Sequence, residues 1–425
     1  MLSSMRAASV AVFAGALIAT TATAASSAPA PRTERVTLTS TGQQGDGDSY
    51  GAQFSADGRF AAFTADATNL VPGDTNGHVD VFVRDLRKGT VERVSVASDG
   101  TQADMPSLTA GISADGRYVL FRSNARNLVP WDPPPTNDAA EDVYLHDRRT
   151  GSTERISVGF DGGSAFSAGA HMSADARYIV FNAKADRMES GARDLFGAVY
   201  VFDRRTGKTE RVSNGDRPTN PALLQSVSAD GRYVAYTQLV PRSGAGVTWV
   251  HDRRTGTEEQ VNVKQDGTAA ERFAMPVSLS ADGRTVAFKY TGDDLAEGDA
   301  PGDASDLYVR DLRADVTRRI DPGPDGERWL DAPQLSPDGR HLAYQAEPRL
   351  ADGQYGPDNV YLRDLRTGGT RLVSASVTGG PVTDAYVSVY EVGAGAGRVS
   401  IGSSSAQLVP DDTNGHYDGF VRRLR

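Results

Sequence analysis

Two stretches of this chain place oxygen-bearing side chains where they could hold a cation. Asp74-Thr-Asn76-Gly-His-Val-Asp80 is repeated as Asp412-Thr-Asn414-Gly-His-Tyr-Asp418, with degenerate versions at 137–142 and 299–306. Oxygens at positions one, three and seven of a Gly-bent loop could ligate Ca²⁺, which takes six to eight of them. The spacing is not that of a helix–loop–helix site. The twelfth position is Asp85 in the first copy but Arg423 in the last, and the intervening residues read as strand. The competing reading is an Asn-Gly turn with Asx hydrogen bonds.

Other reactive residue types are scattered. Of the six histidines, His146 and His251 occupy a strand station held elsewhere by Arg84 and Arg310, and His78 and His416 repeat each other in the turn motif. Only His171 is placed to reach a central channel. Gly47-Asp-Ser49-Tyr-Gly51 fits G-x-S-x-G, but a nucleophile elbow needs a strand before it and a helix after it. Here a Gly-rich loop precedes and a strand follows. Asp85, Asp147, Asp203, Asp252, Asp311 and Asp364 recur at one station, which suits a turn acceptor needed in every repeat.

These residues hang on a repeat. Ser-Ala/Pro-Asp-Gly-Arg phrases, with Ala176 in place of the Gly in the third copy, place an Asp at 57, 115, 175, 230, 282 and 338, at intervals of 58, 60, 55, 52 and 56 residues, with a worn copy near Val387. Such a period marks a radial or stacked architecture. Within the first copy, Ala52 to Ser55, Arg59 to Thr64, Asp80 to Asp85 and Val91 to Val96 read as four strands, apolar on both faces. A sheet sandwiched between neighbours needs that pattern. The third strand carries an aromatic at Phe82, Tyr144, Tyr200, Trp249, Tyr308 and Tyr361, a ring able to fill the wedge between adjacent sheets. Asp-Gly hairpins with periodic aromatics predict a β-propeller.

The two ends predict how it closes. Residues 32–38 match the fourth-strand phrase with no inner strand before them, and Gly419-Phe-Val-Arg-Arg423 is a third strand with no fourth after it. The expected fold is therefore all-β: a seven-bladed β-propeller of four-stranded antiparallel blades over residues 32–425, its last blade completed by the N-terminal strand. Closure also removes open sheet edges.

Residues 1–24 carry one charge, Arg6, then an apolar run and Ala22-Thr-Ala24. They read as a secretory signal peptide, cut after Ala24 or as late as Ala30, with 25–31 a short linker. No later stretch has the apolar length of a membrane helix, and there is no cysteine. Net charge of −10, with Lys and Arg dispersed, disfavours a nucleic-acid face.

The repeated phrases, Ser-Ala/Pro-Asp-Gly-Arg, then apolar-Tyr-Val-x-Asp, then Thr-Gly-x-Thr-x-Arg, resemble the WD-repeat-like units of TolB-type propellers over about 32–425. The last blade departs, with Ala396-Gly397 for Asp-Gly and Arg423 for the third-strand Asp. The resemblance implies an extracytoplasmic propeller that serves mainly as an interaction platform. Related repeats also build propellers of some serine peptidases and of an oligogalacturonate lyase family, so no single reaction is implied.

Ligands are expected where the connections between blades crowd one mouth of the channel, at Tyr50, Asp104, Phe166, Arg272, Phe273, Trp329 and Tyr386. The sequence thus predicts a secreted, monomeric binder of a protein, peptide or glycan, without catalysis, nucleic acid or membrane insertion, and with no cofactor beyond a candidate Ca²⁺. Ca²⁺ at Asp74, Asn76, Asp80, Asp412, Asn414 and Asp418 is the one cofactor the residues suggest. The alternative is an extracellular polysaccharide lyase or hydrolase with its site at the same mouth.

Overall fold

A computed structural model describes residues 32–424, apart from 131–139, 192–196, 214–220, 241–244, 265, 271, 273, 293–294, 296–305 and 322–325. The expected signal peptide and linker lie outside the described residues. Seven four-stranded antiparallel sheets follow one another along the chain. In blade 1 the strands are Ser49–Phe54, Phe60–Ala65, Asp80–Asp85 and Val91–Arg93, from the inside outward. Blade 7 takes Ser388–Val392, Arg398–Ser403 and Asp418–Arg423 from the C-terminal end, and Arg32–Arg35 as its outer strand. The predicted closure is the observed one.

Strand bounds differ from the expectation for local reasons. The inner strand of blade 1 starts three residues earlier, because a bulge between Tyr50 and Gln53 lets pairing resume with Ser49. The outer strand ends early, at Arg93, where the chain leaves to cross the top of the ring. The Ser95 hydroxyl then satisfies the Val81 N–H at 3.1 Å, a side chain doing what the ladder no longer can. Thr37, two residues past the outer strand of blade 7, accepts the Gly419 N–H in the same way at 3.2 Å.

The repeated phrase has a physical use at each residue. Ser55 donates to Asp57 (2.8 Å) and accepts from the Phe60 N–H (3.0 Å), and Asp57 accepts from the Arg59 N–H (2.9 Å). Gly58 turns the chain at φ +67°, where a side chain is strained. Arg59 then pairs with Asp85 at 2.7 Å, as Arg117, Arg177, Arg232 and Arg340 pair with Asp147, Asp203, Asp252 and Asp364. The expected turn-acceptor use of that aspartate is seen in blades 1 to 6, each taking the N–H two residues on, blade 5 included, where Asp311 accepts from Arg313 at 2.9 Å. In blade 7 the pairing register aligns Asp57-Gly58 with Gly395-Ala396, one residue before the pair the sequence suggests.

Third-strand aromatics do fill the wedges. Phe82, Tyr144, Tyr200, Tyr308 and Tyr361 are buried, each stacked on a second-strand ring at 5.6–6.1 Å. Around the floor of the channel a collar of backbone hydrogen bonds joins consecutive blades: Ala56 N–H to Ala114 O, then Ala114 to Ala174, Ala174 to Ala229, Ala229 to Ala281, and Ala281 to Pro337. Pro337 has no N–H to continue it. From blade 7, Arg398 makes the link to blade 1 with its side chain, donating to Ser55 O (2.8 Å) and Ala56 O (3.1 Å).

Candidate functional site at the channel mouth

The Asp-Gly turns lie on one face of the disc, so the connections that carry the predicted ligand residues share the other. Tyr50, Trp329 and Tyr386 sit at or just before the inner strands of blades 1, 6 and 7, and these three blades are consecutive in the ring. All three rings are exposed, at 42%, 49% and 66%. Trp329 is held at φ +54°, a left-handed conformation that costs about 1 kcal/mol or more for a bulky residue. Beside it, Arg328 lies 3.7 Å over the Tyr355 ring and pairs with Glu347 at 2.7 Å. Lys289 pairs with Asp331 at 2.6 Å.

Tyr50 belongs to a cluster the sequence reading missed. Its ring stacks on Tyr417 at 5.3 Å, and the Tyr390 hydroxyl lies 3.2 Å from the Tyr417 hydroxyl. Asp48 is the cluster's acceptor, taking the Tyr417 N–H (2.8 Å) and the Tyr50 hydroxyl (3.1 Å), with His416 Nδ1 at 3.3 Å. The backbone N–H from Tyr417 is the first cause holding the Asp48 carboxyl below its usual range. Burial pushes the Tyr390 phenol far up, so it stays a neutral donor. Glycines make the room, since a Cβ at Gly51 or Gly402 would meet the Tyr390 ring at 2.9 or 2.7 Å. One signal could have found this: the two Asp-Thr-Asn-Gly-His motifs differ by Val79 against Tyr417.

The remaining predicted residues are spread over other blades. Asp104 accepts from the Arg126 N–H at 2.8 Å beside the groove between Thr75 and Gln102. Phe166, at φ +54°, is half-buried between Lys184 and Arg187 at 4.5 and 5.2 Å. Arg272 is exposed. Phe273 lies outside the described residues.

In the two acidic loops, the cation that meets the carboxylates is an arginine of the chain. Arg93 pairs with Asp74 (2.8 Å) and Asp80 (3.0 Å), and Arg35 with Asp412 (2.7 Å) and Asp418 (3.4 Å), all nearly buried. Asn76 and Asn414 point their amides at Asp80 and Asp418 (2.9 and 3.1 Å), donating rather than offering oxygen. Among the described residues no group of three or more His, Cys, Asp or Glu is arranged to hold a metal ion. His171 lies on the inner strand of blade 3, and burial lowers its pKa to about 4. Ser49 is fully buried on an inner strand, its N–H bonded to Tyr417 O at 2.6 Å.

One more carboxyl faces inward. Glu391, on the inner strand of blade 7, accepts the Phe54 N–H at 2.6 Å. Burial raises its pKa to about 7, against the lowering effect of that hydrogen bond and of Arg398.

No family model matches this chain, and no curated protein does. Several solved structures are similar. An oligogalacturonate lyase from Vibrio parahaemolyticus is 11% identical, with 93% of this chain and 98% of that one covered and a TM-score of 0.57. The propeller domain of the Trilobed protease from Pyrococcus furiosus is 12% identical, covering 89% and 95% at 0.54. TolB from Acinetobacter baumannii is 16% identical at 0.41, covering 76% of this chain and 62% of that one. The likeness is one of fold. Among the described residues, no helix is long and apolar enough to cross a membrane.

Proposed function

We propose that the chain is an exported, monomeric binding platform whose recognition surface is the mouth over blades 6, 7 and 1. One observation carries the reading: Tyr50, Trp329 and Tyr386 stand exposed on three consecutive blades, amid fixed polar groups such as Asp48, Arg328 and Asp331. Rings that can stack, with hydrogen-bonding groups between them, suit a glycan or an extended peptide. The frame beneath is rigid sheet, so little ordering is needed on binding.

A melting screen of the protein against glycan and peptide panels tests this, because a ligand specific for the folded state raises Tm by mass action. Trp329→Ala and Tyr50→Ala are expected to weaken the ligand found by about tenfold or more, with little change in stability. Undiminished affinity in both variants would remove this face from consideration. Oligogalacturonides belong in the panel. Binding without turnover is expected, and an unsaturated product would establish the enzymatic alternative. Arg93 and Arg35 already neutralise the acidic loops, so Ca²⁺ and EDTA are expected to leave Tm unchanged. A rise with Ca²⁺ would restore the cation reading of those loops.

A further inference from the structure

On the opposite face, blades 1 to 3 are each fastened to the next blade by one device. The first residue of the second strand is a ring (Phe60, Tyr118, Tyr178), and the outer strand carries a glutamate (Glu92, Glu154, Glu210). The following blade supplies an arginine (Arg148, Arg204, Arg253) whose guanidinium lies 4.2–4.3 Å over that ring. Its Nε donates to the glutamate at 2.5, 3.0 and 2.8 Å. Its Nη1 donates to a turn carbonyl of its own blade, at Gly116, Ala176 or Gly231. Ring, carboxylate and carbonyl together satisfy a planar cation on its face and at its edge.

Blade 4 carries the same receptor without its arginine. Tyr233 holds the ring station and Glu259, paired across from Val250, the glutamate station. The turn glycine of blade 5, Gly283, has φ +73°, against +71° at Gly116 and +70° at Gly231. Like those two, it abuts the ring, since a Cβ there would penetrate Tyr233. At the arginine station stands Leu312, and a cleft of about 330 Å³ is lined by Tyr233, Glu259, Gly283 and Leu312. Tyr233 carries its own Arg232 at 4.5 Å. No guanidinium from the next blade covers it among the described residues.

The other charges at the cleft do not fill this place. Arg310 approaches Glu259 to 3.6 Å from the station of His146 in blade 2 and also pairs with Asp315. Arg284 lies 3.7 Å from Asp282, and Asp252 is taken by Arg232. Arg313 lines the rim. In blades 5 to 7 the ring station is Thr285, His341 or Arg398, with Leu365, Leu424 or Leu86 following, so no receptor exists there to be vacant.

We propose that the seam between blades 4 and 5 is a receptor for a guanidinium group, the arginine side chain of a partner polypeptide. The protein makes that complex with itself at three other seams. The site is independent of the channel mouth and stands or falls separately from it.

The probe is Nα-acetyl-L-arginine methylamide, titrated by calorimetry against the lysine and citrulline counterparts. Saturable binding at one site per chain is expected, with citrulline weaker by about tenfold or more, because the charge-assisted bonds are lost. Leu312→Arg should abolish binding and raise Tm, as the chain's own guanidinium fills the cleft. Glu259→Gln should weaken binding by about tenfold. Arg148→Ala should create a second site and raise the stoichiometry from one to two, without relying on the seam in question. Equal binding of arginine and citrulline, unchanged binding in a folded Leu312→Arg protein, or no saturable binding at all would overturn the proposal.

Discussion

Blades 1 and 7 are neighbours built from the same phrases, and they agree in their outer halves while differing in their inner ones. Outside, Arg93 bridges Asp74 and Asp80 in blade 1, and Arg35 bridges Asp412 and Asp418 in blade 7. Gln102 and Gln44 brace the two loops alike. Inside, blade 1 has Ser55, Asp57 and Phe60, where blade 7 has Gly393, Gly395 and Arg398. The difference follows from what each half must do. An outer strand brought in from the distant N-terminal end has no hairpin to position it, so the side chains that set its register are kept. The inner half must meet blade 1 across a seam that the backbone collar, ended at Pro337 before blade 7, does not reach, and a long cation serves there instead.

That comparison can be tested at both ends of each blade. Arg35→Met should have the largest effect, about 3–5 kcal/mol in chemical denaturation, because it strands two buried carboxylates and removes the side chain that anchors a strand otherwise held only by pairing. Arg93→Met creates the same imbalance within a continuous chain and should cost visibly less cooperativity. Identical denaturation curves for the two would break the argument that blade 7 depends on captured pairing.

Arg398→Met should come next, at about 2–3 kcal/mol, since Ser55 O and Ala56 O lose a charged donor and Glu391 loses its counter-charge. Arg59→Met, a part-exposed pair in blade 1, should cost about 1 kcal/mol or less. A reversed order would mean that the collar does not need its side-chain link.

The pH dependence sharpens the contrast further. Glu391 has its pKa raised to about 7, so the folded state holds the proton more tightly than the unfolded chain. Its stabilising contribution is therefore complete below about pH 4.5 and is lost as pH rises through about 7, on the order of 3 kcal/mol. Glu391→Gln should flatten the fall in Tm between pH 5 and 8. Blade 1 behaves oppositely. Its Arg59 partner lowers Asp85 to about 2, so that contribution is present above about pH 4 and is lost as pH falls through about 2. An unchanged profile in Glu391→Gln would show that the carboxyl is not buried as described.

An effect as small as that of Arg59→Met concerns the clasp between blades 1 and 2. Arg148→Leu reproduces there the residue that blade 5 already carries, and should cost about 1 kcal/mol with modest salt dependence. A loss several times larger would mean that the seam between blades 4 and 5 is held by something the other seams lack.

Legibility followed distance along the chain. The Ser-x-Asp-Gly-Arg turn could be read because its hydrogen bonds run between residues two to five apart. The Tyr50–Tyr417–Asp48 cluster could not, because Asp48 and Tyr417 are 369 residues apart and share no repeat station. The acidic loops were read correctly as charge clusters, yet their counter-ions could not be assigned. Arg93 lies 13 residues beyond Asp80, and Arg35 belongs to the opposite end of the sequence.

By itself the sequence determined the number of blades, the four-strand plan, the ring that fills each wedge and the strand that closes the circle. All of these are set by period and alternation, which act locally and recur. Only the tertiary structure decided which cation meets which carboxylate, where the collar needs a side chain, and which of four equivalent receptors lacks its arginine. Those depend on contacts between successive sheets, where one substitution in a neighbour changes the partner without altering the pattern along the strand.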